Sequence, residues 1–187
     1  MGIYKNVMGT LVRVLAADNI DNSTKQSWQK LIDADLRQGG TGSTISVRDK
    51  FDYDCCLYAL LHRELATAHW DVLVAKYSTH KANKVAAIGR LVSRMSSPAP
   101  QLFVYKALTA WAIPKLKGEQ SGRRSTDMII LPAEFYDMNS WDPAGSPERT
   151  RHRWKAGIIK RLEQLEEAAV IHATEIFDAE QIFIDAA

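Results

Sequence analysis

The chain has 187 residues, a length typical of one domain, and we expect a single folding unit over 1–187. It has no apolar run near the roughly 20 residues that a bilayer span needs and no signal peptide, so we expect a cytoplasmic protein that does not contact membranes. The net charge is only +2, which excludes a general polycation and directs attention to where the charges cluster.

The N-terminal region, residues 1–38, predicts a pair of helices. Apolar side chains at helical spacing indicate one helix from Ile3 to Ala16 and a second from about Ser23 to Gln38. The glycine-rich segment 39–44 cannot remain helical, so it predicts a flexible loop to the rest of the chain.

Residues 46–114 predict a helix-turn-helix core. Ser46 begins a buried helix, a supporting helix follows at 70–77, and a third is expected from Lys81 to Val92. A turn at 94–97 then leads to a helix that Ser97 and Pro98 begin and Pro114 ends. This order of helices is that of a helix-turn-helix, although two helices that merely pack together would show the same apolar spacing.

The chain contains two cysteines, Cys55 and Cys56, and they are adjacent. A disulfide between neighbours would be strained, and neither cysteine has a partner at metal-ligand spacing. We therefore predict that both are small core residues in a reducing compartment.

The last helix of the predicted core separates apolar from polar side chains. An amide such as that of Gln101 can read an adenine edge, while hydroxyl and ammonium groups can contact phosphates or bases. We expect this polar face to enter the major groove of DNA while cations of the preceding helix and turn hold the phosphate backbone. The polar face comprises Gln101, Tyr105, Lys106 and Thr109, and the cations are Lys81, Lys84, Arg90 and Arg94.

Residues 115–145 predict a loop region with one short strand. The basic, glycine-containing part up to residue 126 should be exposed, and its Arg123 and Arg124 either lie beside a phosphate backbone or keep the loop soluble. Residues 127–131 have the only pattern typical of a strand. Turn-forming residues dominate 136–145, where we expect ordered irregular structure. Its anchors should be Phe135, Tyr136 and Trp141.

Residues 146–178 predict a long C-terminal helix whose first turns are basic. Cations at a helix N-terminus are unfavourable by about 0.3–1 kcal/mol each, so the fold alone gives little reason for them. A nucleic-acid phosphate or an acidic partner surface would give one, whereas a solvated helix of mixed charge is the structural alternative. The candidate contacts to such an anion are Arg149, Arg151, Arg153 and Lys155.

Catalytic templates are missing from the sequence. It has no GxxxxGK[ST], GxGxxG or GxSxG motif, and its histidines lack partners at zinc spacing. The acidic residues of 127–142 fit caps and turns better than a nuclease site. We therefore expect a mainly α protein that is not an enzyme and that needs neither metal nor cofactor.

Two stretches carry a resemblance to a known family. HWDVLVAKYSTHKANKVAAIGRLVSRMSSPAPQLFVYKALTAWAIPKLKG, residues 69–118, and YDMNSWDPAGSPERTRHRW, residues 136–154, resemble segments of Q-type prophage transcription antiterminators. The two stretches lie between residues 69 and 154, so the resemblance extends over about half of the chain. Some members of the wider group use a zinc site, which this sequence does not supply.

The resemblance implies a mechanism. A Q-type protein binds a double-stranded DNA element near a promoter, loads onto paused bacterial RNA polymerase, and narrows the RNA exit channel so that pause and terminator hairpins cannot form. On this chain, Gln101, Tyr105 and Lys106 would read the element and Arg90 and Arg94 would hold phosphates. The basic start of the last helix would touch DNA, nascent RNA or polymerase.

Two other classes of protein fit parts of the pattern. A small terminase subunit also combines a helix-turn-helix with a long helix, but it would use that helix to form a ring of many copies. A DNA nuclease or recombinase is the enzymatic alternative, and magnesium-dependent DNA cleavage would identify it.

Overall fold

The computed structural model describes residues 6–22, 47–115 and 129–182, and all regular secondary structure in these ranges is helical. Two 3-10 turns, Ala133–Tyr136 and Met138–Trp141, precede the last helix. The prediction of a mainly α fold is therefore confirmed. The α-helices are α1 Val7–Asn22, α2 Val47–Glu64, α3 Thr67–Tyr77, α4 Lys81–Arg94, α5 Gln101–Ala112 and α6 Glu148–Ala179.

The chain divides into two compact units. Unit 1 comprises Met1–Leu65 and Val170–Ala187, and unit 2 comprises Ala66–Ala169. Unit 2 therefore holds α3, α4, α5, both 3-10 turns and the first two thirds of α6. The expectation of a single folding unit stays a prediction. Among the described helices, none is both long and apolar enough to cross a membrane.

In unit 1, α1 and α2 pack together through apolar side chains and one ion pair. Leu11 of α1 and Leu61 of α2 are fully buried, and Nε of Arg13 donates to Oδ2 of the buried Asp54 at 2.7 Å. The buried positions of α2 recur at helical spacing, which turns the residues between them outward. Both cysteines are consequently exposed, so their prediction as core residues was wrong.

Unit 2 is built around α3, in which every residue from Trp70 to Ala75 is buried. A helix that is covered on all sides needs apolar residues all round, and this stretch is apolar except for Asp71. α4 contributes Ala87, Ile88 and Leu91 to the same core, and α5 adds a broader apolar face. That face comprises Phe103, Val104, Ala107, Leu108 and Trp111.

One helix start and one predicted strand differ from the structure. α5 begins at Gln101 rather than Pro98, because Pro100 disfavours helical backbone at the residue before it. The turn between α4 and α5 therefore spans residues 95–100. Residues 129–131, the described part of the predicted strand, form no strand; a strand needs a neighbour to pair with, and the described ranges contain none.

Several predictions concern residues outside the described ranges. These are the helix at 23–38, the glycine loop at 39–44 and the basic loop with Arg123 and Arg124. The predicted C-terminal helix is confirmed, since α6 begins at Glu148 and ends at Ala179.

Candidate nucleic-acid interface

Two arginines of α4 are held by one buried carboxylate of α3. Nε and Nη2 of Arg90 lie 2.8 Å and 2.7 Å from Oδ1 of Asp71, and Nη1 of Arg94 lies 3.3 Å from its Oδ2. The Asp71 side chain is 0% exposed, whereas the two arginine side chains are 47% and 45% exposed. We call these three residues the arginine clamp.

The arginine clamp retains a net positive charge on its outer side. One carboxylate neutralises one of the two guanidinium groups, and each guanidinium has five N–H donors of which only some face Asp71. The two arginine side chains are about half exposed, so donors that do not face Asp71 can reach solvent. A fixed pair of guanidinium groups with free donors can bind a phosphate through charge-assisted hydrogen bonds.

Lys84, a predicted DNA contact on the same helix, lies in the core. Its Nζ donates to the carbonyl oxygens of Ala75 at 2.8 Å, Lys76 at 3.0 Å and Ala112 at 3.4 Å. Burial, followed by the charge of Lys76, lowers the pKa of the Lys84 ammonium to about 8. Lys84 joins the carboxyl ends of α3 and α5 to α4, and its prediction as a DNA contact is corrected.

The predicted polar face of α5 divides into two parts. Gln101 and Tyr105 are exposed, as expected for residues that would meet DNA. Thr109 is buried and its hydroxyl donates to the carbonyl of Tyr105 at 2.8 Å. The prediction that Thr109 contacts DNA is therefore corrected, because it is a core residue. Lys106 is half-buried, and its Nζ donates to the carbonyl oxygen of Ser140 at 2.9 Å.

Lys81 is exposed at the first residue of α4. The preceding His80 caps this helix, because its Nδ1 accepts a hydrogen bond from the backbone N–H of Asn83 at 3.2 Å. Lys81 and the two arginines of the clamp thus lie at opposite ends of α4.

The segment 133–147 contains both 3-10 turns and the stretch 136–145 that was predicted as ordered irregular structure, and Trp141 anchors it. This side chain is 0% exposed, packs edge-on against Phe103 at a centroid distance of 5.4 Å, and donates from Nε1 to the carbonyl of Phe135 at 2.7 Å. The Tyr136 hydroxyl donates to the carbonyl of Ile113 at 2.8 Å, which ties the segment to the end of α5.

Asp142 links this segment to the start of α6. It accepts hydrogen bonds from the backbone N–H groups of Ala144 at 3.1 Å and Ser146 at 2.8 Å. Hydrogen bonds from Ser146, with smaller effects of Ala144 and the Arg151 charge, hold the pKa of this carboxyl below its ordinary value. Asp142 is a turn residue, as the sequence indicates for the acids of this region.

The predicted basic cluster at the start of α6 separates into two sets. Arg151 and Lys155 face the protein: Nη1 of Arg151 donates to Oδ1 of Asn139 at 2.9 Å, and Lys155 lies over the Trp141 ring at 5.3 Å. Arg149 and Arg153 are exposed, and no carboxylate within residues 6–22, 47–115 and 129–182 pairs with either.

The residue that sequence reasoning missed is Asp71. An acid inside an otherwise apolar helix is the signal for a buried partner, because an unpaired buried charge is costly. The two arginines four residues apart on the next helix share one face and are the obvious partners. Reading these features together would have identified the arginine clamp.

Comparison of the chain with protein-family models, with curated proteins and with solved structures gives no match. In the described ranges, no group of three or more histidine, cysteine or acidic side chains is arranged to hold a metal ion.

Proposed function

We propose that this chain is a DNA-binding protein that acts in transcription antitermination, in the manner of Q-type prophage proteins. Its site of action is the bacterial cytoplasm, where promoter DNA and RNA polymerase meet. The chain uses α4 and α5 as a helix-turn-helix, with the arginine clamp on the phosphate backbone and the exposed start of α5 directed at the bases.

The observation that carries this proposal is the arginine clamp. A buried ion pair needs only one arginine, so a second guanidinium on the same carboxylate leaves a surplus of positive charge at the surface. Because Asp71 restrains both side chains, little of their rotamer entropy is lost when a phosphate binds.

The exposed start of α5 supplies groups that discriminate bases. Gln101 is the first residue of the helix, the position at which recognition helices of this type meet base edges. Its amide can form two hydrogen bonds with an adenine edge. Tyr105, one turn later, is 42% exposed, and its hydroxyl can form a hydrogen bond with a base or a phosphate.

The proposed motif departs from the usual one in its turn. Residues 95–100 separate α4 from α5, whereas three or four residues are usual. Ser97 organises the longer turn, because its Oγ accepts a hydrogen bond from the backbone N–H of Ala99 at 3.2 Å.

The antitermination part of the proposal rests on the resemblance of residues 69–118 and 136–154. The implied partners are a double-stranded element near a promoter and bacterial RNA polymerase at its RNA exit channel, with nascent RNA passing alongside. The chain then acts as a binding protein rather than an enzyme, and needs no cofactor.

The test is in vitro transcription past an intrinsic terminator by bacterial RNA polymerase. Templates carry, upstream of the terminator, either a sequence selected by the protein from random duplexes or a scrambled version. We expect readthrough with the full chain on the selected template, and no readthrough on the scrambled one.

The variant Arg90→Gln with Arg94→Gln should abolish this readthrough. The charge-matched control is Arg63→Gln with Lys115→Gln, since both residues are exposed and lie off the arginine clamp. Readthrough that is absent from the full chain, or equal for both variants, would contradict the proposal.

A further inference from the structure

Three exposed cations of α6 share one narrow face of the helix. Arg149, Arg153 and Lys160 are four and seven residues apart, which places them within about 40° of one another around the helix axis and over about 16 Å of its length. Ala156, the residue between them on this face, is too small to cover them. We call Arg149, Arg153 and Lys160 the α6 basic face.

The fold gains nothing from this arrangement. Arg149 lies in the first turn, where the helix dipole opposes positive charge. Like charges four residues apart also repel one another. Within the described ranges, no acidic side chain forms an ion pair with any of the three. Arg151 and Lys155 do serve the fold, so an external anion is the remaining function for the three residues of the α6 basic face.

The chemistry of the face favours a duplex backbone. Binding of unpaired bases needs exposed aromatic rings, but Trp154 packs edge-on against Phe103 at 5.5 Å and is not presented on the face. Two arginines and a lysine in a row match a line of phosphates, which recur every 3.4 Å of axis along one strand. Arginine in particular binds phosphate oxygens in a bidentate way.

We infer that the α6 basic face is a second DNA-binding surface, which holds duplex phosphates without reading the base sequence. It shares no residue with the arginine clamp or with the start of α5. The inference rests on the proposed function in one respect, namely that the partner is DNA.

The experiment measures affinity for a random-sequence duplex of about 30 base pairs as a function of KCl concentration, by fluorescence anisotropy. Each phosphate that is neutralised contributes about 0.9 to the slope of log affinity against log salt. The test variant is Arg149→Gln, Arg153→Gln and Lys160→Gln, and we expect it to lower the magnitude of the slope by about 2.7.

The charge-matched control is Arg63→Gln, Lys115→Gln and Arg161→Gln. All three residues are exposed, and Arg161 is on α6 but about 100° round the axis from Lys160. We expect the control to keep the slope of the unchanged chain. Equal slopes for test and control variants would overturn the inference, because the effect would then be one of net charge alone.

Two further outcomes separate this inference from the proposed function. If Arg90→Gln with Arg94→Gln abolishes readthrough while the α6 variant keeps the full slope, the proposed function stands and the inference fails. If the α6 variant keeps its slope on duplex DNA but loses capture of purified RNA polymerase, the face binds an acidic protein surface and the inference is overturned.

Discussion

The two basic helices of unit 2 hold their cations in opposite ways. On α4, Arg90 and Arg94 are fixed by Asp71, a carboxylate with no exposed surface. On α6, Arg149 and Arg153 extend into solvent, and the described ranges contain no carboxylate paired with them. A restrained pair can define where a phosphate sits, whereas unrestrained cations supply attraction that depends on salt and little on position.

Both helices also contain cations that belong to the fold. Lys84 of α4 donates to three backbone carbonyls, and Lys155 of α6 lies over the ring of Trp141. Cations that are close together in the sequence therefore have different roles. The helix face on which each residue lies determines its role.

The largest effect should come from Trp141→Ala, which tests whether the inward cations of α6 are structural. The substitution removes a fully buried ring, its contact with Phe103 and its hydrogen bond, so we expect a loss of about 3–5 kcal/mol in the free energy of unfolding. Urea denaturation measures this loss. In conditions where the variant remains folded, the slope of log DNA affinity against log salt concentration should stay unchanged. A changed slope would mean that segment 133–147 takes part in binding.

The matched control for this substitution is Tyr53→Ala. Tyr53 is an aromatic residue of α2 that is 55% exposed, so its removal should cost well under about 1 kcal/mol. A comparable loss in both variants would show that Trp141 has no special anchoring role.

Lys84→Met tests the buried cation of α4 through the pH dependence of stability. The folded state lowers the pKa of Lys84 from 10.5 to about 8, so between these values the unfolded state binds more protons. Stability therefore rises with pH in this window, by up to about 1.4 kcal/mol per pH unit, and the contribution is lowest below pH 8. Burial raises the pKa of Tyr77, which opposes this rise only above its ordinary pKa of 10.0.

The measurement is urea denaturation at several values between about pH 7.5 and 9.5. We expect the unchanged chain to gain stability over this range more steeply than Lys84→Met. The control, Lys160→Met, replaces an exposed lysine and should follow the unchanged chain. Parallel profiles for the unchanged chain and Lys84→Met would refute the assignment of Lys84 as a desolvated ammonium.

The sequence predicted those features of the structure that a local pattern determines, and it failed for features that depend on distant contacts. Helix α6 was predicted to within two residues, because Ser146, Pro147 and a long apolar period are all local signals. The exposure of Gln101 and Tyr105 also followed from helical spacing. Residues 129–131, the described part of the segment predicted as a strand, form no strand, since whether an extended segment finds a partner is decided by the rest of the fold.

The candidate site was less predictable for the same reason. Lys84, Arg90 and Arg94 were assigned one role from their charge, but Lys84 is six residues before Arg90 on α4 and lies under the carboxyl ends of two other helices. Only tertiary structure brings those carbonyls together. Asp71, which distinguishes the arginine clamp from the α6 basic face, is nineteen residues from Arg90 in sequence.

Asp71→Asn tests whether restraint of the arginines matters. The asparagine keeps the size of the side chain but loses its charge, so we expect a loss of about 2 kcal/mol in stability, less than for a fully buried pair because the arginines can turn to water. Duplex affinity should fall about ten-fold because both arginines must then be ordered on binding, while the salt slope should not decrease, since both cations remain and the carboxylate that neutralised one of them is gone. A variant that binds as tightly as the unchanged chain would make the arginine clamp a stability feature only.

The smallest effect is expected for Gln101→Ala, which asks whether the start of α5 reads bases at all. A lost bidentate contact should lower affinity for a selected sequence by about 1 kcal/mol, or roughly five-fold, while affinity for a scrambled duplex changes little. Gln164→Ala, an exposed glutamine on α6, is the matched control and should leave both affinities unchanged. An equal loss on both duplexes would mean that Gln101 contacts the backbone, and that α4 and α6 differ only in how firmly they hold phosphates.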